Sequence, residues 1–193
     1  MLICVTNRKL CQGDFLARID QLAEAKPFAI MLREKDMELA EYEELALQVA
    51  AMCRRYSVNL IIHQNSMVAD RLRASYLHLP LPMLRSFPKE AGSHILGTSV
   101  HSVAEAKEAQ ELGANYVIAG HIYDTDSKQG LKGRGLGFLQ QVCQAVSLPV
   151  FAIGGITGDK AGEVLRAGAK GYCAMSEAMQ CDDPGDFVKR FRK

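Results

Sequence analysis

Several side chains in this sequence that could bind an anion or move a proton lie at the ends of short apolar segments or in the loops that follow them. Arginine and lysine bind phosphates and carboxylates, hydroxyl groups donate hydrogen bonds, and histidine gains or loses a proton near pH 7. In chain order the side chains in such positions are Arg33, Lys35, His63, Ser99, His101, His121, Thr125, Ser127, Lys128 and Ser176. If the fold brings these positions together, their composition predicts a site for a small anion such as a phosphate.

A pair of glycines, Gly154 and Gly155, adds a second kind of phosphate ligand. Glycine lets the backbone approach a phosphate closely, and oriented N–H groups then hold it. Met175 and Ser176, at the end of the last apolar segment, offer further N–H groups and a hydroxyl. A lone Gly-Gly is equally typical of a tight strand-to-helix turn. The phosphate interpretation therefore depends on the fold.

His121 is the candidate for proton transfer. It directly follows the apolar segment 116–120 and begins a polar, glycine-rich loop that runs to Gly135. Long polar loops of this kind are usually functional. The alternative is a core histidine bonded to a backbone carbonyl. At the end of a buried strand we favour a general acid–base role.

The other histidines give weaker indications. His63 and His101 follow apolar segments, where they either bind ligand or cap a loop, whereas His78 and His94 are interpreted as structural. No two histidines are spaced i and i+2 or i+4, and no carboxylate pair ends neighbouring segments. Because metal ions need such clusters of ligands, the sequence predicts no dedicated metal site.

The elements that must position these residues alternate along the whole chain. Eight segments are almost continuously apolar, as parallel strands are when both of their faces are covered. They are residues 2–6, 28–32, 58–62, 75–79, 94–99, 116–120, 150–154 and 171–175. Between them lie helical signals: an apolar face over 38–56, the capping box of Ser102 and Glu105, N-cap candidates Asp14 and Thr157, and C-terminal glycines Gly113 and Gly168.

Eight strands alternating with helices predict an α/β fold, a (β/α)₈ TIM barrel in a single domain over residues 1–193. A doubly wound sheet would use fewer strands and a glycine-rich turn after the first strand, and none follows Val5. Three prolines make the link between strands four and five, residues 80–93, irregular. In this fold the site lies at the C-terminal strand ends, and the loops after strands seven and eight bind phosphate.

Bulk properties exclude several classes of function. The net charge of +1, with acids and bases interspersed, argues against a nucleic-acid-binding protein. No apolar run approaches the ~20 residues that span a membrane, and the N-terminus lacks the charge order of a signal peptide. The six cysteines form no CxxC pair. We therefore expect free thiols in a reducing cytoplasm.

Five motifs, spread over nearly the whole chain, resemble the thiamine phosphate synthase superfamily. They are MLREK (31–35), GTSVHS (97–102), ANYVIAGHIYDTDSK (114–128), PVFAIGGI (149–156) and GYCAMS (171–176). Two branches of that superfamily must be distinguished. The synthases join a pyrimidine pyrophosphate to a thiazole phosphate, and aspartates after strands three and four hold magnesium. The thiazole tautomerases, or TenI-type proteins, were once described as regulators.

Three positions make the resemblance closest to the tautomerase branch. The typical Asn-Asp after strand three is replaced by His63-Gln64, the Gly-Gln-x-Asp segment after strand four is absent, and Gly120-His121 replaces Gly-Pro. The resemblance then implies isomerisation of a carboxylated alkylidene-dihydrothiazole phosphate to the aromatic thiazole carboxylate phosphate. His121 would move the proton, and aromatisation would drive the reaction without metal or organic cofactor.

The resemblance also implies roles for the remaining residues. The ligand is a small phosphorylated thiazole, whose phosphate is held by Gly154, Gly155, Met175 and Ser176, with Thr125, Ser127 and Lys128 closing over it. Arg33 and Lys35, where a synthase binds pyrophosphate, would hold the substrate carboxylate, and Ser99 is a further contact. A homodimer is compatible with the resemblance, although no face is marked for self-association. The alternatives are a thiamine phosphate synthase with unusual metal ligands and a non-catalytic, thiazole-phosphate-binding regulatory protein.

Overall fold

The computed structural model of the chain describes residues 1–88, 94–125 and 130–192. Within them, eight parallel strands close into a barrel in chain order, with the last strand paired to the first. The strands are β1 Leu2–Val5, β2 Ala29–Leu32, β3 Asn59–His63, β4 Tyr76–Pro80, β5 Ile95–Val100, β6 Tyr116–Gly120, β7 Val150–Ile153 and β8 Gly171–Ala174. The prediction of a (β/α)₈ TIM barrel is confirmed.

Helices follow every strand except the first, after which a short 3₁₀ helix, Arg8–Leu10, precedes the first α-helix. The α-helices are α1 Phe15–Glu24, α2 Leu39–Tyr56, α3 Ser66–Leu72, α4 Leu81–Ser86, α5 Val103–Glu111, α6 Gly135–Ala145, α7 Ala161–Arg166, α8 Ser176–Gln180 and α9 Pro184–Arg190. No helix of the described residues is long and apolar enough to cross a membrane. All six cysteine thiols are free.

The continuous apolarity of the strands reflects two separate cores. In β2, Ala29 and Met31 point into the barrel, where they join a cluster that includes Phe151 of β7. Ile30 and Leu32 of the same strand belong to the larger cluster between strands and helices. Because both faces of a strand are buried, most positions favour an apolar side chain, with His78 in β4 and Thr98 in β5 as buried polar exceptions.

Most predicted helix termini agree with the structure. Asp14 caps α1 by accepting from the Ala17 amide at 2.6 Å, and Ser102 caps α5 by accepting from the Glu105 amide at 3.0 Å. Gly113 and Gly168 follow helix ends with φ of +88° and +102°. The Thr157 prediction is wrong: its hydroxyl bonds Asp159 at 2.6 Å, and α7 begins only at Ala161.

The link between β4 and β5 contains one six-residue helix, α4. Pro80 precedes this helix and Pro82 lies in its first turn, where a missing N–H costs no helical hydrogen bond. Residues 89–93 of the link lie outside the described residues. Pro80 and Pro82 line the mouth of the barrel beside α4.

Candidate functional site

A cavity of about 780 Å³ opens at the C-terminal ends of the strands. Its volume lies within the usual range for small-molecule sites, about 300–1,000 Å³. It brings together most of the candidates from the sequence: Arg33, Lys35, His63, Ser99, His101, His121, Thr125, Gly154, Gly155, Met175 and Ser176. Ser127 and Lys128 lie outside the described residues.

The β7 and β8 loops form one wall of this cavity. Gly154 and Gly155 adopt φ of +104° and +62°, a backbone conformation that favours glycine. Their amides donate to none of the described residues, so these N–H groups can serve an anion. Lys160 donates to the Gly155 carbonyl at 3.1 Å and lies 4.6 Å from the Tyr123 ring centroid, which fixes the turn from behind.

The same glycine turn packs directly on the β6 loop. A Cβ at Gly154 would lie 2.4 Å from the Cβ of His121, and one at Gly155 would lie 2.4 Å from the Asp124 carbonyl oxygen. Backbone bonds join the two loops, from Ile122 to Ile153 and from Tyr123 to Gly154, both at 2.9 Å. Glycine is therefore required for contact between these loops as well as for access to a ligand.

The β2 loop supplies the positive charge of the cavity through Arg33 and Lys35, which lie three strands from the glycine turn around the barrel. The residue between them, Glu34, is buried and points away from the cavity toward the β1 loop. Its carboxylate accepts from the Thr6 hydroxyl at 2.7 Å, from the Arg8 amide at 3.1 Å and from the Arg8 guanidinium at 3.3 Å. Thr6 in turn accepts from the Arg33 amide at 2.9 Å.

Replacing Glu34 with glutamine should loosen the loop that carries both cations. Glutamine keeps only one of the two acceptor oxygens, so either the buried Thr6 hydroxyl or the Arg8 guanidinium loses its partner. We expect the free energy of unfolding to fall by about 1–3 kcal/mol, with a raised KM for an anionic substrate and a smaller change in kcat. Denaturant unfolding and steady-state kinetics measure these effects. Asp36→Asn, at the exposed partner of Arg8, is the matched control, and an equal effect there would contradict the assignment.

Two histidines of the cavity are bonded to backbone carbonyls. His121 Nε2 lies 3.2 Å from the Leu131 oxygen, and His101 Nδ1 lies 2.9 Å from the Gly120 oxygen. Since a carbonyl only accepts, each of these nitrogens carries the proton. The peptide between Gly120 and His121 is cis. The geometry of His121 thus matches the alternative considered from the sequence, a histidine bonded to a backbone carbonyl.

His63 and His78 also line the cavity, and their rings stack with centroids 5.7 Å apart. Burial, followed by the charges of Arg33 and Lys35, lowers the pKa of His63 to about 3. Burial also lowers the pKa of His78, which is 1% exposed. Both rings are therefore neutral near pH 7. His78, interpreted from the sequence as structural, also lines the cavity.

This depressed pKa makes stability depend on pH. Between about pH 3 and pH 6.5, the unfolded chain protonates His63 while the folded chain does not, so stability falls as pH falls through that window. In His63→Asn the slope of unfolding free energy against pH should decrease by up to about 1.4 kcal/mol per pH unit. Urea unfolding of both proteins from about pH 5 to about pH 7 measures it. An unchanged slope would show that His63 does not resist protonation.

Carboxylates are scarce among the described residues of the cavity. Glu105 accepts from the His101 amide at 2.5 Å, and Glu177 pairs with Arg190 at 3.0 Å. Gln64 follows β3, and its backbone N–H donates to the His78 carbonyl oxygen at 2.8 Å. The end of β4 carries Pro80. No group of three or more metal-ligating side chains occurs among the described residues.

Comparison with known proteins identifies the family. A sequence profile described as "Thiamine monophosphate synthase" matches residues 2–178. The chain belongs to this family. It is 34% identical to a thiamine-phosphate synthase of Coprothermobacter proteolyticus, covering 100% of this chain and 93% of that protein. It is 30% identical to a thiamine-phosphate synthase of Fusobacterium nucleatum, covering 98% and 94%.

A solved structure of the family agrees with the barrel. The thiamine phosphate pyrophosphorylase from Pyrococcus furiosus superposes with a TM-score of 0.88 at 29% identity, and the alignment covers 99% of this chain and 93% of that one. The resemblance to the superfamily found in the sequence is confirmed. The family profile does not distinguish its tautomerase branch.

The prediction of a thiazole tautomerase is wrong, because the curated relatives over nearly the full chain are named thiamine-phosphate synthase. The proton shift assigned to His121 in the isomerisation loses its basis with that reaction, whereas the acid–base role inferred from its position at the end of β6 stays a prediction. The substrate carboxylate assigned to Arg33 and Lys35 also loses its basis. The prediction relied on His63-Gln64, on the absent Gly-Gln-x-Asp segment and on Gly120-His121, and these three differences from the typical synthase pattern do not exclude the synthase assignment of the relatives.

Proposed function

We propose that this chain is a thiamine-phosphate synthase, a transferase that joins a pyrimidine pyrophosphate to a thiazole phosphate. The observation that carries the proposal is one cavity with two separate groups of possible anion ligands. They are the glycine turn after β7 with Met175-Ser176 after β8, and the cations after β2. A reaction between two phosphorylated substrates needs two such groups. The full-length relatives named as synthases support the same reaction.

The thiazole phosphate is assigned to the wall formed by the β7 and β8 loops. The backbone N–H groups of Gly154, Gly155 and Ser176 carry no formal charge, and they hold the phosphate through hydrogen bonds. The Ser176 hydroxyl adds a donor, and Thr125 closes the cavity from the β6 loop. This arrangement fits a phosphate that remains intact, since it provides binding without stabilising a leaving group.

The pyrophosphate is assigned to Arg33 and Lys35. When the bond between the pyrimidine methylene and the pyrophosphate oxygen breaks, negative charge increases on the departing group. Cations already fixed beside it stabilise that charge more than they stabilise the bound substrate, which lowers the barrier. The thiazole nitrogen then supplies the electron pair for the new carbon–nitrogen bond, and pyrophosphate leaves.

The magnesium ion that the synthase resemblance implies does not fit the described residues. Magnesium takes carboxylate and other oxygen ligands in an octahedral arrangement. The ends of β3 and β4 offer Gln64 and Pro80, neither of which is a carboxylate. Glu105 accepts from the His101 amide, and Glu177 pairs with Arg190 through one oxygen. The other Glu177 oxygen is buried without a hydrogen-bond partner among the described residues, but one such oxygen does not supply the set of oxygen ligands that magnesium needs. Charge neutralisation is therefore assigned to the protein's own cations.

The test is to combine the chain with both substrates and to measure thiamine phosphate and pyrophosphate together. We expect the two products in equal amounts, and neither product when one substrate is omitted. The assay is run both with and without added magnesium, so that a requirement for the metal is not mistaken for a lack of synthase activity. Absence of thiamine phosphate in every arm, from a chain that still binds both substrates, would overturn the proposal.

A further inference from the structure

Three polar side chains form a chain of hydrogen bonds from the barrel interior to the cavity. Tyr116 on β6 places its hydroxyl 3.3 Å from His78 Nδ1, and His78 Nε2 lies 2.9 Å from the Ser99 hydroxyl. Tyr116 and His78 are buried, whereas Ser99 lines the cavity. The three residues come from neighbouring strands, β4, β5 and β6, so the barrel itself fixes their spacing.

Tyr116 determines which atom donates and which accepts in these hydrogen bonds. Burial raises the pKa of Tyr116, so its hydroxyl keeps the proton. Among the described residues, that hydroxyl has one hydrogen-bond partner, His78 Nδ1. A buried O–H group without an acceptor is strongly disfavoured. Tyr116 therefore donates, and His78 Nδ1 accepts.

The imidazole passes this direction on to the serine. Burial, the largest cause, together with the nearby Arg33 charge keeps the pKa of His78 well below its ordinary value, so the ring has one proton. With Nδ1 accepting, that proton is on Nε2 and is donated to the Ser99 oxygen. The serine proton is then left for the cavity, since Ser99 has no other side-chain hydrogen-bond partner among the described residues.

We propose that Tyr116 and His78 orient the Ser99 hydroxyl so that it donates a hydrogen bond into the cavity. This orientation selects a ligand that places an unprotonated acceptor atom beside Ser99. Under the proposed function, that acceptor is a ring nitrogen of the pyrimidine substrate, because the thiazole nitrogen must keep its electron pair for the new bond. Ser99 contacts the ligand, and Tyr116 and His78 are positioning residues. With the opposite tautomer, Ser99 would offer only lone pairs and would select a donor.

The tautomer can be measured without any substrate. The chain has five histidines, so ¹⁵N-histidine labelling with one His→Asn variant per site assigns the spectrum. We expect His78 to be neutral and protonated on Nε2. Tyr116→Phe removes the donor to Nδ1 and should give a mixture of tautomers. A wild-type ring protonated on Nδ1, or a spectrum unchanged by Tyr116→Phe, would overturn the inference.

A kinetic cycle then tests whether the direction reaches the ligand. Tyr116→Phe and Ser99→Ala should each raise KM for the pyrimidine pyrophosphate by about three- to tenfold, with KM for the thiazole phosphate unchanged. The double variant should be no worse than Ser99→Ala, because Tyr116 acts only through Ser99. Tyr76→Phe removes a barrel hydroxyl that takes no part in the Tyr116–His78–Ser99 hydrogen bonds, and it should leave both KM values unchanged.

Additive effects of Tyr116→Phe and Ser99→Ala would show that the tyrosine acts by another route, and the inference would fail. Because the spectroscopic arm contains no substrate, its result is independent of whether the chain makes thiamine phosphate. A correct tautomer in a chain that binds both substrates without making thiamine phosphate would leave the orientation of Ser99 intact and overturn the proposed function alone.

Discussion

Gly155→Ala should raise KM for the thiazole phosphate by about a hundredfold and lower the free energy of unfolding by about 1–3 kcal/mol. Two physical effects combine at this position. The backbone has φ of +62°, where a side chain adds strain, and the new Cβ would meet the Asp124 carbonyl oxygen at 2.4 Å and the Tyr123 Cβ at 2.8 Å. Neither contact can be relieved without moving the β6 loop away from the turn, which displaces the amides that hold the phosphate.

Gly113→Ala is the matched control, because it separates strain from contact. Gly113 has φ of +88°, yet a Cβ there has no atom within 4 Å, and the position is a helix end outside the cavity. Its stability should fall, with kinetic constants at the wild-type values. Thermal unfolding and titration of the thiazole phosphate measure both properties. Equal KM values for the two variants would contradict the assignment of the phosphate to the β7 and β8 loops.

The sequence predicts this barrel well because its strands are buried on both faces. Several apolar segments end where a polar residue reaches the cavity, as at Met31-Leu32 before Arg33, so strand ends and site residues are read from the same boundary. All eight predicted strands overlap the observed ones and differ by at most one residue at each end. Helix N-termini that have a side-chain cap, such as those at Asp14 and Ser102, are predicted equally well from the sequence. Thr157 fails because its hydroxyl has a nearer acceptor in Asp159.

The chemistry of the site is less predictable, because it depends on which partner each polar atom meets. Glu34 stands between two cations in MLREK, and nothing in that motif indicates that its carboxylate is bonded to Thr6 and Arg8 of another loop. His78 lies within an apolar strand, which suggests a core role. Its pairing with Tyr116 and Ser99 arises only when three strands lie side by side. Neither contact leaves a local signal in the sequence.

Arg33→Ala should lower kcat/KM for the pyrimidine pyrophosphate by about 10²–10³-fold, the largest effect on activity that we expect. The side chain lines the cavity, and its backbone is fixed by the Thr6 hydroxyl. Because negative charge grows on the pyrophosphate as it leaves, the loss should appear mainly in kcat. Arg33→Lys keeps the charge without the two-pronged geometry of the guanidinium, so it should recover only part of the activity. Rapid-quench measurement of pyrophosphate release follows the step directly.

Arg85→Ala provides the matched comparison for this prediction. Arg85 also lines the cavity, but its guanidinium is held by both oxygens of Glu108 at 2.6 and 2.9 Å. Its charge is already neutralised by that carboxylate, so its removal should change kcat by no more than a few-fold. If Arg33→Ala and Arg85→Ala were equally mild, the leaving group would have to be neutralised elsewhere, and the assignment of the pyrophosphate to the β2 wall would be wrong. A large loss at Arg33 alone would instead locate the departing pyrophosphate beside the buried, neutral His63, where no competing positive charge titrates near pH 7.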